Sequence, residues 1–286
     1  MQTWQIGDVR ITRIIETEDT SMAADFMVPD ATPEALAEID WLRPHFVTAD
    51  GQLISSIYSL LVESQGKRLV VDTCLGNDKP RAVPDWNERQ GAFLEEIAAA
   101  GFPRDTVDYV ACTHLHPDHV GWNTMLVDGQ WVPTFPNARY LFSEADWAWL
   151  DQAPVTPLGD YCGDSVRPVV DAGLADIIVP DYAITDEVRM VSTPGHSPGH
   201  MSVLIESGGA RAIVTGDLMH HPCQIARPHW CSPFDFDQSR ALNTRKSFIN
   251  DHSDSPILVI GTHFATPSAG HIVTDGDTYR LVISDA

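Results

Sequence analysis

Residues 113–122 read THLHPDHVGW and follow directly on the apolar run 107–112, VDYVAC. His114, His116, Asp118 and His119 thus fall within six positions at the end of a predicted buried strand. Side chains of this kind are expensive to take out of water unless a partner compensates them. Isolated histidines such as His45 and His252 call for no such partner. A cluster this tight does.

Working outward, three more coordinating residues fall at the ends of apolar runs. His196 lies in TPGHSPGH, residues 193–200, after the run VRMVS; Asp217 ends RAIVTGD; His263 ends PILVIGTH. If these strands are neighbours pointing one way, all seven side chains meet on one rim. Imidazole and carboxylate together form the donor set that zinc favours. Seven ligands are too many for one tetrahedral ion. They suit two divalent ions with a shared carboxylate and open positions, an arrangement that activates a hydroxide held between the ions and receives a developing oxyanion. Zn²⁺ is the expected metal, and Mn²⁺, Fe²⁺ or Co²⁺ are compatible with the same ligands.

The rest of the chain supplies the scaffold. Residues 4–18 form a predicted hairpin turning at Gly7-Asp8, and residues 57–64 and 67–74 are strands around Gln65-Gly66. A helix is expected over 87–101, with Phe93, Leu94, Ile97 and Ala98 on one face and Gly101 as its stop. The run 107–114 is a strand, ARYLFS another, and SEADWAWL a helix. The second half repeats the order: strands at DIIVP, VRMVSTPG, MSVLIES and RAIVTGD, a helix over about 237–250, then PILVIGTH and TYRLVIS. Two successive sets of strands and helices without a linker point to one α/β sandwich spanning residues 1–286, sheets inside and helices outside. Residues 20–51 form one long irregular piece around a short helix at PEALAEIDWL. It is a lid, a pocket wall, a dimer contact or plain packing.

Composition narrows the partners. With 40 acidic against 18 basic residues, the net charge of −22 repels nucleic acid backbones. No run approaches the ~20 apolar residues of a membrane-spanning helix, and the start MQTWQIGDVRIT does not read as an export signal. Five cysteines (Cys74, Cys112, Cys162, Cys223 and Cys231) without a CxxC pair read as reduced thiols of a cytoplasmic protein.

HLHPDH resembles the HxHxDH signature of the metallo-β-lactamase superfamily, and His196, Asp217 and His263 match its remaining ligand positions in order. The resemblance extends from the DTC segment at Asp72 through TPGHSPGH and TGDL to GTHF. It implies the αβ/βα four-layer sandwich with the site in a groove at the edge of the sheets. It also implies one metal on His114, His116 and His196, a second on Asp118, His119 and His263, and Asp217 as the bridge. By the same resemblance Asp72 orients a metal-bound histidine, a role that fixes tautomer and basicity. His200 is either a supporting or a merely structural residue. Gly195 and Gly199 allow a sharp turn beneath the metal.

The branch is set by what surrounds the ligands. Zinc β-lactamases lack the bridging aspartate, tRNA-processing endonucleases need a basic surface, and the glyoxalase II group differs after the signature. SPGH is similar to N-acyl homoserine lactonases, and GDLMHHPCQIARPHW to methyl parathion hydrolase and its relatives. The expected activity is opening of lactones or related esters, N-acyl homoserine lactones among them, with organophosphate triester hydrolysis as the alternative. An iron-dependent sulfur dioxygenase or a non-catalytic scaffold would be expected to lack some of the seven ligands. The homoserine lactonases carry a tyrosine three residues after the bridging aspartate, and His220 stands there. Asp118, Asp217 and His220 are the candidate catalytic groups. Trp122, His220, His221, His229, Trp230, Phe26, Met27, Trp41 and Phe46 are candidate pocket walls for a small, neutral, apolar substrate. A homodimer is expected by analogy with the superfamily.

Overall fold

The computed structural model describes residues 2–152 and 158–283. Its strands follow the chain as β1 (Gln2–Ile6), β2 (Val9–Asp19), β3 (Ser55–Ser64), β4 (Lys67–Val71) and β5 (Tyr109–Ala111). The hairpin β6 (Thr124–Val127) and β7 (Gln130–Pro133) comes next, then β8 (Arg139–Ser143) and β9 (Ala175–Ile178). The second half carries β10 (Tyr182–Ala183), β11 (Val188–Ser192), β12 (Met201–Ser207), β13 (Ala210–Val214), β14 (Leu258–Ile260), β15 (Ala269–Asp275) and β16 (Thr278–Ile283). One seven-stranded sheet has the order β1-β2-β3-β4-β5-β8-β9; the other runs β10 to β16 in sequence order. The first is antiparallel from β1 to β4 and parallel from β4 to β9. In the second, only β13 and β14 are parallel.

The two sheets pack face to face, and the alternation of side chains shows it. Leu60 and Val62 of β3, Leu69 and Val71 of β4, and Leu258 and Ile260 of β14 share one inner core with Val203, Ile205 and Val214. Their neighbours Leu61, Val70 and Val259 belong instead to an outer cluster. That cluster includes Phe93 and Ile97 of the helix Phe93–Ala99, Leu150 of Glu144–Gln152, and Phe248 and Ile249 of Gln238–His252. Strands buried on both faces read as continuous apolar runs. Each fully buried aliphatic side chain contributes ~1.5–3 kcal/mol. The result is the expected sandwich of helix, sheet, sheet and helix.

Several elements differ from expectation. Helix begins only at Phe93, not at residue 87. Asn77 Oδ1 takes the Gly91 N–H at 2.8 Å, a donor that a helix from residue 87 would have used, and Glu88 N is tied to Lys79 O at 2.7 Å. The sequence reading missed β15, the β6–β7 hairpin, and the π-helical turn Cys162–Val166 that leads into helix Arg167–Asp171. Residues 20–51 pack down through buried Met27, Leu36, Leu42 and Phe46, with short helices Ala24–Met27 and Pro33–Ala37. Among the described residues no helix is long and apolar enough to cross a membrane.

Candidate metal centre

β4 and β5 are parallel neighbours in one sheet, and β13 and β14 in the other. β11 runs in the same sense as β13, because two antiparallel pairings separate them. Asp72 follows β4, the 114–119 cluster β5, His196 β11, Asp217 β13, and His263 β14. The rim is tied across the sheets: Met201 N donates to Thr113 O at 2.9 Å and Ser56 N to His263 O at 3.1 Å. Two glycines make the loops possible. Gly195 has φ +137° and a Cβ there would lie 2.3 Å from Ala241 N; Gly216 has φ +56° and a Cβ would lie 2.5 Å from His200 Nε2.

Asp217 is the centre of the arrangement. Its Oδ2 lies 3.7 Å from His114 Nε2 and 3.4 Å from His196 Nε2. Its Oδ1 lies 3.3 Å from His119 Nε2, and His263 Nε2 lies 3.2 Å from both oxygens. Asp118 Oδ2 completes the second set, 3.6 Å from His119 Nε2 and 3.4 Å from His263 Nε2. His116 completes the first, with Nδ1 2.9 Å from His196 Nε2.

Acceptors behind the rings set their orientation. His119 Nδ1 donates to Asp72 Oδ2 at 2.9 Å, His196 Nδ1 to Asp235 Oδ1 at 3.1 Å and His263 Nδ1 to Ser56 O at 3.0 Å. The Thr113 hydroxyl gives its proton to Asp72 Oδ2 at 2.8 Å and accepts from His114 Nδ1 at 3.1 Å. With Nδ1 protonated, each of these four rings aims an Nε2 lone pair inward. His114 Nε2, His119 Nε2 and Asp217 Oδ1 are buried with no hydrogen-bond partner. The triads His114/His116/His196, His114/His119/Asp217 and Asp118/His119/His263 each hold their donor atoms within 4.8 Å of one another. Converging, unpartnered nitrogen and carboxylate donors of this kind fit divalent cations.

Burial and neighbouring charges act in opposite directions on these groups. Burial pushes His114 and His116 well below the ordinary imidazole range. Burial acts the same way on His119, but Asp217, Asp118 and Asp72 outweigh it and raise that ring well above. Burial would raise the Asp217 carboxyl; His119, His263 and His114 together hold it well below instead.

The family profile described as metallo-beta-lactamase superfamily matches residues 54–254, more than half of the chain. The chain belongs to the metallo-beta-lactamase superfamily. An N-acyl homoserine lactonase of Bacillus cereus is 25% identical over 166 residues, 53% of this chain and 58% of that protein. The chain thus spans less than two thirds of that relative's length. The N-acyl homoserine lactonase AiiA of Bacillus thuringiensis subsp. kurstaki is 30% identical over 199 residues, 64% of this chain and 71% of that one. Among solved structures, AidC, a dizinc quorum-quenching lactonase with a bound N-acyl homoserine product, superposes with TM-score 0.77 at 19% identity, covering 100% of this chain and 97% of that one. The hydrolase AbOPH gives 0.77 at 23% identity, covering 99% and 97%. The likeness to both structures is one of fold.

Within this superfamily scaffold, further residues brace the ligands, and not all were found by reading the sequence. Asp72, at φ +54°, sits in the left-handed region with its carboxylate also accepting Thr113 N at 2.7 Å. His200 uses both nitrogens on the backbone: Nδ1 donates to Thr193 O at 2.9 Å and Nε2 accepts Asp217 N at 2.8 Å. It therefore holds the Asp217 loop in place. Asp146 receives Gly199 N at 2.7 Å and the Ser197 hydroxyl at 2.9 Å; burial raises its carboxyl to about 6. Asp235 was missed. Burial would raise its carboxyl, but the His196 bond and nearby charges hold it at about 2. Fully buried Arg245 lies 3.5 Å from Asp235 Oδ2 and donates to the carbonyls of Leu218, Pro228 and Trp230. Replacing Asp235 by asparagine is expected to weaken metal retention ~10–100-fold, the usual loss for an outer carboxylate on a ligand histidine. A chelator titration checks this; unchanged retention would remove Asp235 from the centre.

A cleft opens over His116, Asp118, His196, Asp217, His220 and His263. Its remaining walls are Met22, Phe26, Met27, Trp86, Leu158 and Phe234, with no lysine or arginine among the lining residues. Phe26 meets Phe234 edge-on at 4.7 Å and Trp86 at 6.1 Å between centroids. Of the candidate walls, Phe26, Met27 and His220 line this cavity; the others do not. Trp122 stacks on Phe93 at 5.5 Å and donates its indole N–H to Glu16 at 2.8 Å. His221 donates to Phe46 O at 2.8 Å, fixing both residues in the packing behind the site. Trp41 packs against the core and Trp230 is buried, while His229 lies on the surface.

Proposed function

We propose that the protein is a dinuclear metal-dependent hydrolase that opens lactones, N-acyl homoserine lactones among them, or related neutral esters. The observation that carries this reading is Asp217, a buried carboxylate among four inward imidazole nitrogens: Oδ2 faces His114 and His196, Oδ1 faces His119, and His263 Nε2 is 3.2 Å from both oxygens. In this reading one ion is held by His114, His116 and His196, the other by Asp118, His119 and His263, with Asp217 between them. When bound, such a pair supplies a nucleophilic hydroxide at neutral pH and an electrophile for the carbonyl oxygen. Zn²⁺ suits the donors best.

The chain's own residues do the rest. The apolar walls of Met22, Phe26, Met27, Trp86, Leu158 and Phe234 desolvate an uncharged acyl or aromatic group. The absence of a cationic side chain from that lining argues against phosphorylated or glutathione-bearing substrates. Asp118 lines the cavity beside His263 and His119. Its carboxylate is placed to take the proton of the attacking hydroxide and pass it to the alkoxide released when the ring C–O bond breaks. In a lactone that alkoxide stays tethered, so a proton donor at hand prevents reclosure. The aromatic part of the wall also suits the aryl leaving group of an organophosphate triester, which is the second reading.

Proton release in weak buffer distinguishes them. The panel is homoserine lactones of several chain lengths, simple γ- and δ-lactones, an aryl ester and a phosphotriester, with chelator-treated protein as control. Chelator-sensitive opening of lactones is the expected result. Turnover of the phosphotriester alone would establish the second reading, and no turnover of any substrate by protein carrying two ions would sink both.

A further inference from the structure

His220 is the one histidine at the rim that neither the seven-ligand set nor the supporting bonds account for. Its two neighbours in kind are fully used. His200 bonds through both nitrogens, and His221 donates from Nε2 to Phe46 O while Nδ1 accepts the Cys223 N–H at 3.1 Å. His220 is 3% exposed, yet neither Nδ1 nor Nε2 has a hydrogen-bond partner. In this it resembles His114 and His119, whose inward nitrogens are also unpartnered.

Its placement says which group it serves. His220 Nε2 lies 3.5 Å from Asp217 Oδ2, an oxygen that also faces His196 at 3.4 Å, His114 at 3.7 Å and His263 at 3.2 Å, the His263 ring itself lying 6.2 Å from that of His220. That is long for a hydrogen bond. Donors on one ion with bonds of about 2.1 Å, at angles of 90–120°, stand roughly 3.0–3.6 Å apart. His196, Asp217 and His220 bring their donor atoms within 4.8 Å of one another, and the His196 and His220 rings are 4.7 Å apart edge-on. The backbone is fixed for this: His220 N donates to Gln224 Oε1 at 2.7 Å, and Gln224 Nε2 to Trp230 O at 2.9 Å.

We propose that His220 is itself a metal ligand, a fifth protein donor to the ion on His114, His116, His196 and Asp217. This rests on the two-ion reading above and assigns His220 to ligation in place of hydrogen bonding to a substrate oxygen. No acceptor pins its second nitrogen, so it is the most readily displaced donor of the set. The consequence is an asymmetric pair. The ion on the His196 side would have five protein donors and the ion on Asp118, His119, His263 and Asp217 four, so the freer coordination would fall to the second.

The test uses Co²⁺-loaded wild type, His220→Gln and His220→Ala. Glutamine keeps an N–H donor but is a poor ligand, and alanine removes both functions. The expected result is two ions in the wild type, and in both variants about tenfold or greater weakening of one ion in chelator competition. A more intense visible cobalt absorption should accompany it, as the coordination number falls by one. Apoprotein melting temperatures within a few degrees of wild type show that the variants fold. If both variants retain two ions with unchanged affinity and spectrum while turnover falls, His220 is a hydrogen-bond donor and the assignment is wrong. Fewer than two ions in the wild type would overturn the two-ion reading itself, which the variants' behaviour cannot mimic.

Discussion

Replacing Asp217 by asparagine is expected to lower turnover on the order of 10³-fold or more, about 4 kcal/mol of barrier. The carboxylate is 3% exposed and faces Nε2 of His114, His119, His196 and His263 at 3.2–3.7 Å. An amide keeps the shape but offers one neutral acceptor oxygen where two anionic ones stood. The charge between the two ligand sets is then gone, and in the two-ion reading the repulsion between the ions would be less well offset. At least one ion should be lost, read directly by metal analysis after gel filtration. His200 still holds the backbone N–H of residue 217, so the loop itself should keep its path. Asparagine protein that retains two ions and wild-type turnover within tenfold would show that Asp217 does not join them.

How much of this could be read from the sequence follows from where each residue sits. Each of the seven ligands read from the sequence lies at or just past the C-terminal end of an apolar run, and such runs are visible because strands buried on both faces have no polar alternation. Tight spacing made 114–119 conspicuous, and three further strand ends pointed at the same rim. Asp235 and Arg245 gave no such signal. One lies in a loop between Phe234 and Phe236, the other on a helix rich in serine, arginine and lysine, and their partnership with His196 exists only in three dimensions. The cavity wall was half legible. Phe26 and Met27 stood out in a long irregular segment, whereas Met22, Trp86, Leu158 and Phe234 come from loops far apart in the chain. Trp122 misled for the opposite reason. It adjoins the signature in sequence, but the backbone turns at Gly121 and directs its indole towards Glu16 and Phe93. Helix 87–101 starts later than periodicity suggests because the Gly91 N–H goes to the Asn77 side chain and the Glu88 N–H to Lys79 O, bonds that periodicity alone does not register.

Removing the metals with a strong chelator is expected to abolish turnover and lower the melting temperature by about 10 °C, with the far-ultraviolet circular dichroism retained at room temperature. The sheets do not depend on the centre: their inner and outer cores are continuous apolar clusters. The rim does depend on it. Inward nitrogens of His114 and His119 and Oδ1 of Asp217 are buried without partners, and unsatisfied groups of this kind cost roughly 1–3 kcal/mol each. An ion that binds the folded chain and not the unfolded one adds ~4 kcal/mol at a thousand times its dissociation constant. For a chain of this length each kcal/mol moves the midpoint by about 2–4 °C. The effect should be reversible, since the loops bearing the ligands are anchored independently of the ions by Asp72, Asp235, Ser56 and His200. Turnover and melting temperature should therefore return together, in proportion to the metal restored. A chelated protein that melts at the wild-type temperature would mean that this cluster does not bind the ions on which activity depends.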